Sequence, residues 1–252
     1  MAENKKNLEL DTLPFQIHDS VKAFVEQLIT GLGDNLQSIT IVGSSLTEDF
    51  RPGRSDINTV LVLGSQTVGS LNVLASLARP MRKKHFSPPL LMTSSYIERS
   101  RDVFGVELLD FQLSHQTILG GDPFASLTFD KKDVRLQCER ELKATLIRLR
   151  QGYIAAAANR KLVHDILIST AKGLAPLLRA ILWLKDIDRP TRSEETFKRA
   201  ASKLSVNTSP LITTDKWRYA KPCLTKAELE NTFESVYTTV EQLATLVDKL
   251  EV

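Results

Sequence analysis

Cysteine is scarce: Cys138 and Cys223 are the only two among 252 residues. That excludes a disulfide framework and fits a reducing compartment, with both thiols read as small core side chains. Histidine is nearly as rare. His18, His85, His115 and His164 show no tight ligand spacing, which argues against a zinc site. Long apolar runs are missing as well. The opening MAENKKNLELDTL has no apolar core of signal-peptide length, and the run 174–184 carries Arg179 and falls far short of a membrane span. No G-x-S-x-G, Walker loop or G-x-G-x-x-G occurs, so serine-hydrolase, P-loop and dinucleotide chemistry are unsupported. Nor does one sign of charge dominate, since 33 basic residues face 30 acidic ones for a net charge of +3. These absences predict a globular cytoplasmic protein with no membrane partner.

What is present divides the chain in two. Ile17, Val21, Phe24, Val25, Leu28, Ile29 and Leu32 recur at helical spacing and predict a first helix that ends near Gly33. Strands are predicted at 38–42, 57–63, 89–93 and 106–111, with a short helix over 70–79 that stops before Pro80. After Gly120-Gly121-Asp122-Pro123 the pattern becomes helical throughout. Its clearest stripe is Leu229, Phe233, Val236, Val240, Leu243, Val247 and Leu250, alternately four and three apart. That stripe suits an intramolecular bundle core better than the seam of a homodimer. The expected class is α+β, with a small mixed-sheet domain over 1–125 followed by an all-α helical bundle over 126–252.

The stretch with chemistry in it is IVGSSLTEDFRPGRSDINTVLVL, residues 41–63. An apolar strand breaks at Gly43-Ser44-Ser45, a polar loop follows, and Ser55-Asp56-Ile57-Asn58 leads into a second strand. Glycine at such a turn lets a ligand approach the backbone closely, and serine hydroxyls with free N–H groups can hold phosphate oxygens. Residues two apart on a strand share a face, so Asp56 and Asn58 project together, as a hard divalent cation such as Mg²⁺ requires. A third oxygen is expected from a neighbouring strand, supplied by Glu107 or, failing that, Asp110; on a regular strand these two would face opposite sides.

The pattern GSS…GRSDIN followed by an apolar strand resembles the nucleotidyltransferase fold of the DNA polymerase β type. The helical half resembles the bundle that follows this domain in aminoglycoside nucleotidyltransferases. The stretches DVFGVELLDF, TILGGDPF and ELKATLIRLRQGY are similar to uncharacterised bacterial proteins with a nucleotidyltransferase domain. This resemblance implies transfer of a nucleoside monophosphate from an NTP to a hydroxyl on a small-molecule or macromolecular acceptor. Gly43, Ser44, Ser45 and Arg54 would meet the nucleotide. Asp56, Asn58 and Glu107 would hold Mg²⁺, with Asp56 and Glu107 as the catalytic pair. The departure is Asn58, where the family carries Asp or Glu. Its amide removes one negative charge, which defines a rival expectation: a catalytically weakened module that binds nucleotide or a partner. The run Arg79, Arg82, Lys83, Lys84, His85 has the charge to meet nucleic acid, but it lacks interleaved aromatics and reads better as a solvated surface.

Overall fold

The computed structural model describes residues 8–11, 13–220 and 222–252. The first seven residues, part of the stretch read above for targeting, lie outside them. The chain divides into two compact units: one runs through Arg101 and includes Leu108–Thr128, and the other combines Asp102–Glu107 with Phe129–Val252.

The first unit is built on a four-stranded mixed sheet. Helix α1 (Phe15–Leu32) precedes β1 (Leu36–Val42), and β2 (Asn58–Leu63) returns antiparallel to it. Helix α2 (Val68–Lys83) leads to β3 (Leu90–Met92), parallel to β2. A short α3 (Ser94–Arg99) and α4 (Gly105–Leu113) precede β4 (His115–Leu119), which pairs antiparallel with the free side of β1. The order is therefore β3-β2-β1-β4. The apolar stripe of α1 is spaced three and four apart because it has one layer to cover: Val21, Phe24, Val25 and Leu28 pack in one core with Ile39, Ile41, Leu61 and Leu63.

Two expectations are corrected here. Helix α2 continues through Pro80 to Lys83. A proline there removes one backbone hydrogen bond and disfavours the helix, but Met81 beyond it is buried in the core and holds the final turn in place. Residues 106–111 form helix α4, not a strand, and the fourth strand is HQTIL just after it. The short apolar run VELLDF satisfies both periods, so a distant contact decides. The buried Gln137 side chain accepts from Val106 N–H at 2.9 Å and donates to Glu107 Oε2 at 2.6 Å, satisfying an otherwise orphaned first-turn donor.

The second unit is helical, with no strand among its described residues. Helix α5 (Lys131–Ala156) packs on α6 (Arg160–Leu184), α7 (Ser193–Leu204) and α8 (Ser209–Lys216) pack on α6, and α9 (Lys226–Asp248) closes against α5, α6 and α8. The predicted α9 stripe turns inward: Val236, Val240, Leu243 and Val247 are fully buried. Among the described residues, α6 is long and apolar enough by length and composition to cross a membrane. Four helices pack on it, and half of its most apolar stretch is buried in the bundle.

The two thiols separate in this fold. Cys138 is buried on α5, and burial, with the Glu107 carboxylate next in effect, pushes its thiol up to about 12. Cys223 is exposed. Because the thiolate is the reactive form, iodoacetamide at pH 8 is expected to label Cys223 and leave Cys138 unmodified, as peptide mass mapping can check.

Candidate functional site

The Gly-Ser turn, Asp56 and Asn58 come together at one end of the sheet. Val42, the last residue of β1, pairs with Asn58 on one side and with His115 on the other. Gly43 follows with φ of 78° and opens a tight 3-10 turn, Gly43–Leu46. Its N–H donates to Ser114 O at 2.9 Å, and Ser114 Oγ donates back to Gly43 O at 3.3 Å. Gly43 is therefore tied to the sheet and offers conformation rather than a donor. The Ser44 N–H heads the turn, where a 3-10 helix leaves its first donors without an acceptor in the helix. Ser45 Oγ is buried and without a partner among the described residues, an uncommon state for a buried hydroxyl.

The loop between the strands folds on itself. Ser55 N–H donates to Arg51 O at 2.8 Å, while Ser55 Oγ accepts from Arg51 N–H at 3.0 Å. Ile57 pins the loop's end, donating to His85 O at 2.7 Å and accepting from Ser87 N–H at 3.1 Å. Its side chain belongs to the core shared with α1. Asp56 and Asn58, one residue to either side, therefore take the opposite face. Asp56 is exposed, Asn58 is half-buried, and neither side chain has a hydrogen-bond partner among the described residues. A Cβ built on Gly43 would lie 3.7 Å from Asn58 Nδ2, so the amide rests against the turn. Arg54 is exposed on the same loop, and its N–H donates to Arg51 O at 3.0 Å.

The expected third ligand is not on a strand. The strands beside β2 are β1 and β3; at the level of Asp56 and Asn58 they present Val42 and Gly43 on one side and Phe86 to Pro89 on the other. Glu107 lies on α4 within the helical unit, exposed and hydrogen-bonded to Gln137. Asp110 lies on the same helix, half-buried and in the sheet unit. Three apart on a helix, these two share a side of it, in place of the opposite strand faces expected. Among the described residues no group of three His, Cys, Asp or Glu side chains is placed to hold a metal ion. One carboxylate and one amide fit a Mg²⁺ that arrives already bound to phosphate oxygens, which is how that ion is commonly held. They do not fit a pair of metal ions.

Sequence reasoning missed His115. Across Val42 from Asn58, it shares that strand face, and its ring is fixed from both ends: Nε2 lies 2.9 Å from Asp122 Oδ2 and Nδ1 lies 3.2 Å from Gln112 O. Burial would raise the Asp122 pKa, but hydrogen bonds from His115 and from the Phe124 and Ala125 N–H groups outweigh it and hold the carboxyl below its usual range. The signal available was a histidine opening a short polar strand seven residues before an aspartate in a GGDP turn.

The helical unit has a cavity of its own, about 500 Å³, with Glu107, Glu141, Thr145, Arg148, Ser169 and Thr170 among its lining. Its polar groups are carboxylates and hydroxyls, with one guanidinium that donates to Thr145 Oγ1 at 2.8 Å.

No protein-family model and no curated protein matches the chain. Its fold does match a solved one, an α+β sheet unit with accompanying helices as in a nucleotidyltransferase. One similar structure is spectinomycin adenyltransferase AAD(9) from Enterococcus faecialis, solved with ATP and spectinomycin, with a TM-score of 0.57, 12% identity, and coverage of 88% of this chain and 98% of that one. At that identity the likeness establishes the fold alone.

Proposed function

We propose that the sheet unit binds a nucleoside triphosphate as its Mg²⁺ complex and transfers a nucleoside monophosphate to a hydroxyl on a small acceptor. One observation carries this reading: the β1–β2 register sets the Gly43 turn directly beside the strand face that holds Asp56 and Asn58. In it, the Ser44 N–H at the head of the turn receives a phosphate oxygen, and Arg54 approaches from the loop. Asp56 gives the bound Mg²⁺ its protein carboxylate, and Asn58 adds a neutral oxygen after rotating its amide. The ion supplies charge neutralisation on the transferring phosphoryl group. The chain's own share is positioning and a fixed array of donors. The fold likeness to an adenyltransferase solved with ATP and spectinomycin supports a nucleotide donor and a polyhydroxylated acceptor.

A second reading, nucleotide binding without transfer, is favoured by one specific observation: the strands next to β2 offer no second carboxylate. Calorimetric titration of ATP into the full chain tests the shared premise. Saturable binding that needs Mg²⁺ is expected, and ATP binding that is absent or indifferent to Mg²⁺ contradicts both readings. Release of pyrophosphate in the presence of a polyhydroxylated acceptor separates the first reading from the second.

A further inference from the structure

The sheet unit carries a groove that the nucleotide reading does not use. It lies between α2 and the segment 86–91, with a volume of about 630 Å³, within the range of small-molecule sites. Small side chains open it. Ala75 and Ala78 lie on an exposed face of α2 where larger residues would fill the space, and Phe86, Pro89 and Leu91 form the facing wall. Leu91 pairs in register with Leu61, whose side chain faces the α1 core. The groove is thus on the sheet face opposite Asp56 and Asn58.

Its charge is one-sided. Arg79 and Arg82 line it, no acidic residue does, and the exposed Lys83 and Lys84 follow directly. Neither guanidinium group makes a hydrogen bond or ion pair with another described residue. An apolar trough with unpartnered guanidinium groups in its lining complements a molecule with an apolar tail and an anionic head. An added peptide strand fits less well. Strand β3 is only Leu90–Met92, Pro88-Pro89 precede it, and Gln66 Nε2 already donates to Leu91 O at 2.7 Å.

We propose that this groove binds one monomeric fatty-acid-type carboxylate, its acyl chain over Ala75 and Ala78 and its head group at Arg79 and Arg82. The test is calorimetry on the full chain with dodecanoate below its micellar concentration, beside dodecyltrimethylammonium, which has the same tail and the opposite head charge. One saturable dodecanoate site is expected, with no binding of the cationic amphiphile. Arg79→Glu/Arg82→Glu should weaken dodecanoate at least about tenfold, and Ala78→Leu should remove the site, both with wild-type circular dichroism. The proposal is overturned by no saturable dodecanoate binding, by equal binding of both amphiphiles, or by unchanged affinity in the double variant. It is also overturned if the protein takes up phosphatidylglycerol vesicles but not monomers, or if Ala78→Leu dissociates a dimer in sedimentation, which assigns the groove to a second copy.

Discussion

Asp56→Ala is expected to weaken Mg²⁺–ATP binding by about a hundredfold, or roughly 2.8 kcal/mol, and to leave the urea midpoint unchanged. The side chain is exposed and has no hydrogen-bond partner among the described residues, so the folded state loses nothing specific with it. The bound complex, by contrast, loses the carboxylate on the strand face that the Gly43 turn adjoins. A unit charge about 2 Å from a divalent ion has a gross attraction on the order of 10 kcal/mol at an effective dielectric of ~20. Desolvation cancels most of that, and a remainder of about 3 kcal/mol is what the titration should detect. Unchanged affinity would move the phosphate site away from β2.

Gly120→Ala is expected to act on the fold. Gly120 follows β4 with φ of 78°, and a Cβ there would sit 2.0 Å from Gln37 O and 3.0 Å from Ser38 Cα. Both obstacles are backbone on β1, so no rotamer change relieves them. The left-handed conformation alone costs an alanine about 1–2 kcal/mol, and the forced separation of β1 from β4 adds about 1–3 kcal/mol more. Urea denaturation should show a loss of at least about 3 kcal/mol, accompanied by weaker Mg²⁺–ATP binding because Gly43 is tied to Ser114 at the head of β4. Gly43→Ala serves as the contrast. It has the same φ, but its Cβ would meet only the Asn58 amide at an ordinary contact distance of 3.7 Å, so its cost is conformational only.

Much of this was legible in the sequence because the signals were local. The α1 stripe, the two apolar strands around the Gly-Ser turn and the α9 stripe each repeat with one clear period, and each forms the element that period dictates. The juxtaposition of Gly43 with Asp56 and Asn58 follows from two strands joined by a loop that must return. What failed was set at long range. VELLDF became helix α4 because Gln137, thirty residues on, engages its first turn. That choice removed Glu107 and Asp110 from any strand. β4 was missed because HQTIL is short, polar at its start and placed at a sheet edge, where burial imposes little pattern. With it went His115 and its partner Asp122. Pro80 misled for a related reason, since tertiary burial of Met81 outweighs a local penalty.

The proposed chemistry turns on Asn58. The register gives it a place beside the Gly43 turn on the face of Asp56, where a carboxylate would complete an acidic pair. The most direct test is therefore Mg²⁺–ATP calorimetry on wild type and Asn58→Asp side by side. A nucleotide site at this end of the sheet predicts Mg²⁺-dependent binding by wild type and binding at least about tenfold tighter by Asn58→Asp. No Mg²⁺-dependent binding by either protein would contradict it.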